Sequence, residues 1–315
     1  MIIGVSQGSI LGPLLFILYV NDFPEICKNS TCLLYADDTA IFFEAQSQTE
    51  LQKLIDNESP KIVDWFNSNK LSINASKTYC QLYNNTTAMI NVNVCIRNKH
   101  IKFTDKIKYL GMYIDADMKW RSHINHITNI LSRNVGIIKK ASFFLKSKYL
   151  LLLYNSLFLP YINYCCIIWG HSAPTLLYRL NKIQKKVVRI IAGQTRLAHT
   201  NPIFKNLKLL KIKGIAVQQS ILLMHNAISQ NLPCNISSLF ISVQNVAITR
   251  NRLISHFEEP FTSKLYATRT ISWLGPRLWN TMIAPSFSGI KTAPVSKAII
   301  KKFAKDKILT NYPDE

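Results

Sequence analysis

Two adjacent carboxylates interrupt an apolar segment near the start of the sequence. Asp37 and Asp38 lie between the apolar runs 32–36 and 39–44. Two short apolar runs around a polar pair predict two strands joined by a two-residue turn, here Asp37-Asp38. Because like charges repel and a hairpin turn accommodates Asn-Gly more easily, the pair is unfavourable unless a cation compensates its charge.

A divalent metal ion is the cation that fits this pair best. Mg²⁺ (or Mn²⁺) prefers hard oxygen ligands, and Mg²⁺ is usually held by one or two carboxylates together with substrate phosphates. Two such ions, about 3.5–4 Å apart, can stabilise the attacking and leaving oxygens of phosphoryl transfer. The alternative is a solvated acidic turn without a ligand, and the dipeptide alone favours that alternative.

Further short motifs surround the aspartates, and their order and spacing reverse that preference. In chain order they are Gly4-Val5-Ser6-Gln7-Gly8, Tyr35-Ala36-Asp37-Asp38, Leu71-Ser72-Ile73-Asn74 with Lys77, and Lys108-Tyr109-Leu110-Gly111. In this order the chain resembles the reverse transcriptases of non-LTR (LINE-type, jockey-like) retrotransposons. Weaker similarity continues through Trp120, Trp169-Gly170 and the segment 275–280, so the resemblance covers nearly the whole chain.

The resemblance implies an RNA-directed DNA polymerase, which adds a deoxynucleotide to a primer 3′-hydroxyl and releases pyrophosphate. Asp37 would be the metal ligand with Asp38 in support, and Lys77 would act near the triphosphate as a charge partner or proton donor. The remaining substrate-binding positions would be Gln7, Gly8, Tyr35, Tyr109, Leu110 and Gly111. The implied partners are an RNA template, a DNA primer and deoxynucleoside triphosphates, with Mg²⁺ (or Mn²⁺) and no small-molecule cofactor.

The sequence departs from the family pattern in two places. Ser6 stands where the family usually has proline. The family also supplies another metal-binding aspartate from a strand before the Gln7-Gly8 segment, and we expect this chain to lack it together with the fingers. We therefore expect a reverse transcriptase fragment that is inactive alone, and the alternative is a non-enzymatic nucleic-acid-binding remnant.

The expected fold is α+β. The resemblance predicts a partial polymerase palm of antiparallel strands and packed helices over 1–115, a helical thumb over 120–230, and a basic C-terminal extension over 231–315. Apolar periodicity predicts a buried helix over 9–20 and a helix over 47–68 that Pro60 kinks or divides. Later helices are expected at 121–145, 147–168, 174–193, 208–229 and 294–308, further strands at 78–83, 92–96 and 107–114, and loop at 232–270.

Positive charge is confined to the second part of the chain. Residues 1–120 hold 11 Lys+Arg and 12 Asp+Glu, whereas residues 121–315 hold 27 and 5, within a total net charge of +21. A soluble chain this basic is expected to bind a polyanion, usually nucleic acid. One helix face carries five cations that could contact a nucleic-acid backbone or simply be solvated: Arg179, Lys182, Lys185, Lys186 and Arg189.

Other features limit the function classes. The seven cysteines include no Cys-x-x-Cys pair, which argues against a disulfide framework or zinc ribbon and favours a reducing compartment. The uncharged stretch 149–178 contains Asn155, Pro160 and His171, so it favours a buried helical hairpin over a membrane span. Trp273 and Trp279 around Gly275-Pro276 favour a packed turn over a stacking platform. The expected localisation is intracellular, in nucleus and cytoplasm as a ribonucleoprotein.

Overall fold

The fold combines helices with short, mostly antiparallel strands, in agreement with the predicted α+β class. The computed structural model describes residues 8–83, 92–96, 99–243, 256–262, 267–287 and 295–312. The chain divides into two compact units, Met1–Met118 and Lys119–Glu315. Each unit has its own buried core, and we describe them separately.

In the described residues of the first unit there are two longer helices and four pairs of short strands. β1–β2, β4–β5 and β7–β8 are antiparallel, and β3–β6 is parallel. The elements are α1 (Gly12–Val20), β1 (Thr31–Tyr35), β2 (Asp38–Phe42), α2 (Gln48–Ser68), β3 (Tyr79–Cys80), β4 (Cys95–Ile96), β5 (Lys99–His100), β6 (Lys102–Phe103), β7 (Lys106–Tyr109) and β8 (Met112–Asp115).

α2 is the longest helix of the first unit, and its sequence explains where it starts. The Ser47 hydroxyl accepts a hydrogen bond from the Glu50 backbone N–H at 3.2 Å, while the Glu50 carboxylate accepts one from the Gln46 N–H at 3.0 Å. These contacts satisfy N–H groups at the helix start. Pro60 was predicted to kink or divide this helix, and the division is wrong, since the helix continues to Ser68. The apolar face of α2 is buried both before and after Pro60, and this burial stabilises the helix on both sides of the proline.

α1 differs from the prediction in its environment. Its predicted position is confirmed, but no residue of this helix is buried, and Leu18 is 64% exposed. A helix that is apolar on all sides is expected in a core. In the described part of this unit, however, the core is a small cluster around Phe23, Ile62 and Trp65, and Val20 is the residue of α1 that packs against it.

The second unit is almost entirely helical. A π-helical turn, Trp279–Ile283, joins two of its helices. The elements are α3 (Arg121–Ala141), α4 (Ser147–Leu157), α5 (Leu159–Asn163), α6 (Cys166–Trp169), α7 (Pro174–Ile191), α8 (Thr200–Asn206), α9 (Ile212–Ile228), α10 (Cys234–Ser237), β9 (Ser242–Val243), β10 (His256–Phe257), α11 (Ile271–Leu278), α12 (Ala284–Phe287) and α13 (Lys297–Thr310).

The predicted single helix over 147–168 is wrong, because the structure divides it into α4, α5 and α6. Pro160 lies in the first turn of α5, where its missing N–H leaves no bond unmade. Cys165 has φ +49°, a left-handed conformation that ends one helical segment before the next begins. Within the described residues, no helix is both long and apolar enough to cross a membrane.

The second unit has two packing centres, and α3 and α7 form the first of them. α3 packs along α7, and their facing residues Leu131, Ile138, Leu180 and Val187 are fully buried. α9 packs against both α11 and α13. α9 is the middle of the second packing centre, whose buried residues come from both sides of the predicted boundary at position 230. They include Ile221, Met224, Phe240, Phe257, Trp279, Ile283, Ile300 and Ala304.

The segment around Gly275-Pro276 is helical, so the predicted turn is wrong. Gly275 packs so closely on α9 that a β-carbon there would lie 2.6 Å from the Met224 sulfur. Trp279 is buried, which agrees with the expected packing role of this residue, whereas Trp273 has the Arg277 guanidinium 4.8 Å from its ring centre.

Candidate active site

The predicted hairpin is present, with a turn one residue earlier than expected. Tyr35 pairs with Asp38, so the two turn residues are Ala36 and Asp37, and Asp38 begins β2. Ala36 adopts φ +50°, which is uncommon for a residue other than glycine. Both aspartates are exposed at the tip of the hairpin, Asp37 in the turn and Asp38 at the first position of β2.

A pocket of about 190 Å³ lies beside this tip. Ala36, Asp37 and Thr39 form one part of its wall, and apolar residues form most of the rest. Two of the other lining residues, Phe16 and Val20, belong to α1, and two more, Trp65 and Phe66, belong to α2. The rest are Phe23, Leu34, Leu71 and Ser72. The pocket therefore lies between α1 and the aspartate hairpin.

A second hairpin approaches the aspartates from later in the chain. Tyr109 pairs with Met112, which leaves Leu110 and Gly111 as the turn, and both have positive φ, +45° and +80°. Positive φ at both turn residues is what a tight type I′ hairpin requires. The pKa of Tyr109 is raised by burial first and then by electrostatic interaction with Asp38 and Cys32. The structure thus brings Tyr109 into electrostatic contact with Asp38.

The remaining predicted site residues are Lys77, Tyr35, Gly8 and Gln7, and of these Tyr35 is the strand partner of Asp38. Lys77 is exposed on the loop after α2, where its backbone N–H donates to the Asn74 carbonyl at 3.0 Å. In the part of the chain that the structure describes, no hydrogen bond or ion pair joins Lys77 to either aspartate. Tyr35 is 65% exposed, and Gly8 has φ +86°. Gln7 falls outside the described residues.

The donor set at the tip fits a hard divalent cation in part. Asp37 and Asp38 both offer exposed carboxylate oxygens, which are the type of ligand that Mg²⁺ takes together with water or phosphate oxygens. Among the described residues, no group of three or more His, Cys, Asp or Glu side chains is arranged to hold a metal ion. The aspartate pair can therefore act as an anchor for a metal whose remaining ligands come from a substrate or another segment.

Glu58 is a residue of this region that sequence reasoning missed. Its side chain is fully buried, and one carboxylate oxygen accepts a hydrogen bond from the Asn29 backbone N–H at 2.5 Å. That contact fixes the loop that leads into β1. The sequence did carry a signal, because Glu58 falls between Ile55 and Ile62 at helical spacing on the buried face of α2.

The basic face of α7 is formed largely as predicted. Arg179, Lys182, Lys185 and Lys186 are exposed, and Leu180 and Val187 are buried on the opposite side. Arg189 differs, because it is half-buried and its Nε donates to the Ala198 carbonyl at 2.8 Å. Four of the five cations are thus available for contact, while the fifth fixes the loop after the helix.

Comparison with known proteins places the aspartate hairpin within a matched domain. Residues 3–114 match the family described as reverse transcriptase (RNA-dependent DNA polymerase). No solved structure matches the chain significantly.

Three curated relatives illustrate the similarity. The chain is 26% identical to the probable RNA-directed DNA polymerase from transposon X-element of Drosophila melanogaster, over 65% of the chain and 23% of that protein. It is 26% identical to the RNA-directed DNA polymerase from mobile element jockey of Drosophila funebris, over 79% and 28%. A Pol polyprotein from the type-1 retrotransposable element R1 2 of Nasonia vitripennis is 27% identical over 53% and 43%. The chain spans about a quarter of the first two relatives.

Proposed function

We propose that this chain, whose residues 3–114 carry a reverse transcriptase domain, forms part of a non-LTR retrotransposon polymerase. The observation that carries the proposal is the exposed Asp37-Asp38 pair at a hairpin tip, with Tyr109 beside it and a pocket along its flank. Met1–Met118 would then contribute to the palm, and the helices after Lys119 would contribute to the thumb.

In this proposal Asp37 and Asp38 hold a divalent metal ion, for which Mg²⁺ is the best candidate. The bound ion would supply positive charge to the triphosphate and to the leaving pyrophosphate. The backbone turn at Ala36 fixes Asp37, while ladder pairing to Tyr35 fixes Asp38, so the two carboxylates are presented together. Preorganised carboxylates need less rearrangement when the nucleotide binds.

Lys77 and the second hairpin would act on the substrate rather than on the metal. The Lys77 ammonium is exposed and on the first unit, so it can approach the triphosphate from solvent as a charge partner or proton donor. The Tyr109-Leu110-Gly111 turn would contact the primer end, and Gln7-Gly8 and Tyr35 the templating pair and incoming nucleotide. These roles follow the family resemblance and the nearness of Tyr109 to Asp38.

Template and primer would be held in part by the second unit. Arg179, Lys182, Lys185 and Lys186 on α7 present exposed positive charge that can neutralise phosphates. This binding does not depend on the aspartates, so a non-enzymatic nucleic-acid-binding role is the second candidate function. The excess of cations after residue 120 favours either role equally.

The deciding experiment is labelled deoxynucleotide incorporation on a primed RNA template with Mg²⁺. The protein to be assayed is the product of the natural reading frame that contains residues 1–315. Asp37→Asn should lower incorporation by about a hundredfold or more, because small displacements of reacting groups already cost that much. Asp64→Asn, at an exposed position on α2, is the matched control and should leave the rate unchanged. Equal incorporation by Asp37→Asn and wild type would refute the polymerase role of the pair.

A further inference from the structure

Two adjacent aromatic rings project from the turn between α3 and α4. Phe143 is 76% exposed and Phe144 is 89% exposed. Such exposure is unusual, because burying a phenylalanine side chain stabilises a fold by roughly 1.5–3 kcal/mol. The exposure is not caused by a loose scaffold, since Ile138 just before the turn and Leu150 just after it are buried.

The backbone of this turn is held in place by its own hydrogen bonds. The Ser142 N–H donates to the Ile138 carbonyl at 2.9 Å, and the N–H groups of Phe144 and Leu145 both donate to the Ala141 carbonyl, at 3.0 and 2.9 Å. A backbone fixed in this way presents the two phenyl rings to solvent in a defined position. Little ordering of the backbone would be needed when a ligand binds.

Exposed lysines flank the rings on both sides. Lys139 and Lys140 end α3, and Lys146 and Lys148 begin α4. The sequence contains no aspartate or glutamate between Asp117 and Glu258. No acidic side chain of that long segment can therefore neutralise these lysines, and the surface around the rings attracts an anionic ligand.

We propose that Phe143 and Phe144, with Lys139, Lys140, Lys146 and Lys148, form a binding site for single-stranded nucleic acid. Unpaired bases can stack on exposed aromatic rings while lysines neutralise the adjoining phosphates, and neither contact requires a particular base sequence. Duplex bases are already stacked and are not available to the rings. We call these six residues the phenylalanine platform.

An anionic membrane surface is the main competing ligand, because aromatic rings and lysines also suit the headgroup region. The distribution of charge favours nucleic acid. Further exposed cations, Lys182, Lys185 and Lys186, lie on α7, a helix that packs against both α3 and α4. An extended array of cations suits a polymer of phosphates better than it suits a short membrane anchor.

The platform extends the proposed function, on whose nucleic-acid role it rests, to a site that does not involve the aspartates. The test measures the affinity of the full 315-residue chain for a fluorescent uridine homopolymer longer than the roughly 4–16 nucleotides of a typical site. The double variant Phe143→Ala with Phe144→Ala should bind about fivefold or more weakly at every salt concentration, with an unchanged salt slope. Replacing the four lysines with glutamine should instead reduce that slope, by about 0.7 for each phosphate that is no longer neutralised.

Three further arms complete the experiment. Leu197→Ala, at another residue that is 89% exposed, is the matched control and should bind like wild type. Replacing both phenylalanines with tryptophan should preserve affinity, because tryptophan also stacks. Asp37→Asn should also bind like wild type, so failure of the platform and failure of the active-site proposal give different results.

Unchanged homopolymer affinity in the double alanine variant would overturn the proposal. If that variant also lost its sedimentation on phosphatidylserine–phosphatidylcholine vesicles, the surface would be identified as a membrane-binding one instead. Because both rings are largely exposed, the alanine variants should keep the wild-type circular dichroism spectrum.

Discussion

Tyr109 lies in the electrostatic field of Asp38, although 71 positions separate them in the chain. Burial raises the pKa of Tyr109, and electrostatic interaction with Asp38 and Cys32 raises it further. This relationship links the β1–β2 hairpin to the β7–β8 hairpin. It also makes the phenol of Tyr109 a reporter for the charge at the aspartate pair.

The first prediction uses that reporter. Asp38→Asn should lower the pKa of Tyr109 towards the ordinary tyrosine value, because one of the charges that disfavour the phenolate is removed. Mg²⁺ bound at the pair should act in the same direction. The measurement is an NMR titration with ¹³C-labelled tyrosine, in which Tyr109→Phe identifies the resonance. Asp64→Asn is the control, and a Tyr109 titration insensitive to both Asp38→Asn and Mg²⁺ would contradict the geometry.

The second prediction concerns the turn that fixes Asp37. Ala36 has φ +50°, a conformation that costs a side chain roughly 1–2 kcal/mol and costs glycine almost nothing. Ala36→Gly should therefore raise the free energy of unfolding of the first unit by up to about 1 kcal/mol, measured by chemical denaturation. Ala40→Gly in β2 is the matched control and should lower it by about 0.5–1 kcal/mol. A loss of stability in both variants would show that Ala36 is not strained.

The third prediction concerns acid stability of the second unit. Burial, and then the charge of Lys213, lower the pKa of His171 from 6.5 to about 4, and its Nε2 lies 3.0 Å from the Ser220 hydroxyl. The folded state therefore binds a proton less readily than the unfolded state. The stability due to the neutral imidazole is present above pH 6.5 and is lost as the pH falls towards 4, by an amount on the order of 2–3 kcal/mol.

His171→Gln should flatten the fall in unfolding free energy across this window, because glutamine can keep the Ser220 hydrogen bond without titrating. His199→Gln, at an exposed histidine, should leave the fall unchanged. Denaturation curves recorded at several pH values measure both effects. An identical pH profile for His171→Gln and wild type would show that His171 does not cause the acid sensitivity.

The fourth prediction separates two roles on α7. Replacing Lys182, Lys185 and Lys186 with glutamine should lower the salt slope of single-strand binding by about 0.7 for each phosphate they neutralise, with little change in thermal stability. Arg189→Gln should do the reverse, because its bond to the Ala198 carbonyl is removed, at a cost on the order of 1 kcal/mol. Fluorescence anisotropy at several salt concentrations and thermal melting distinguish them. A salt slope lowered only by Arg189→Gln would invert this assignment.

Local signals were enough to predict the β1–β2 hairpin and most helix positions, whereas the segment 107–114, predicted as one strand, forms the β7–β8 hairpin. Adjacent apolar runs predicted β1 and β2, and Ser47 with Glu50 marks the start of α2 in the sequence itself. The turn register could not be obtained in this way, because Asp37 and Asp38 are equally suited to a turn. In the structure, Tyr35 pairs with Asp38, and this pairing places Ala36 and Asp37 in the turn. The register of a strand pair depends on both strands and not on the turn residues alone.

Burial was harder to predict than position. The composition of α1 suggested a core helix, but burial depends on what packs around a helix rather than on its own residues. The same limit hid the role of Arg189, which looked equivalent to Lys186 on a helical projection. The residue roles at Lys77, Gly8 and Tyr35 stay predictions, because they depend on a substrate.

The long-range contacts of α9 determine when this helix can pack during synthesis of the chain. The backbone N–H of Lys211, at the start of α9, donates to the Tyr312 hydroxyl at 2.8 Å, and Gln218 donates to the Lys301 carbonyl at 2.9 Å. The ribosome adds Tyr312 101 positions after Lys211, and it adds Lys301 83 positions after Gln218. The first unit can fold while synthesis continues, as domains generally do. α9 cannot complete its packing against α13 until α13 has been synthesised, so this part of its apolar surface stays uncovered while the residues between them are made.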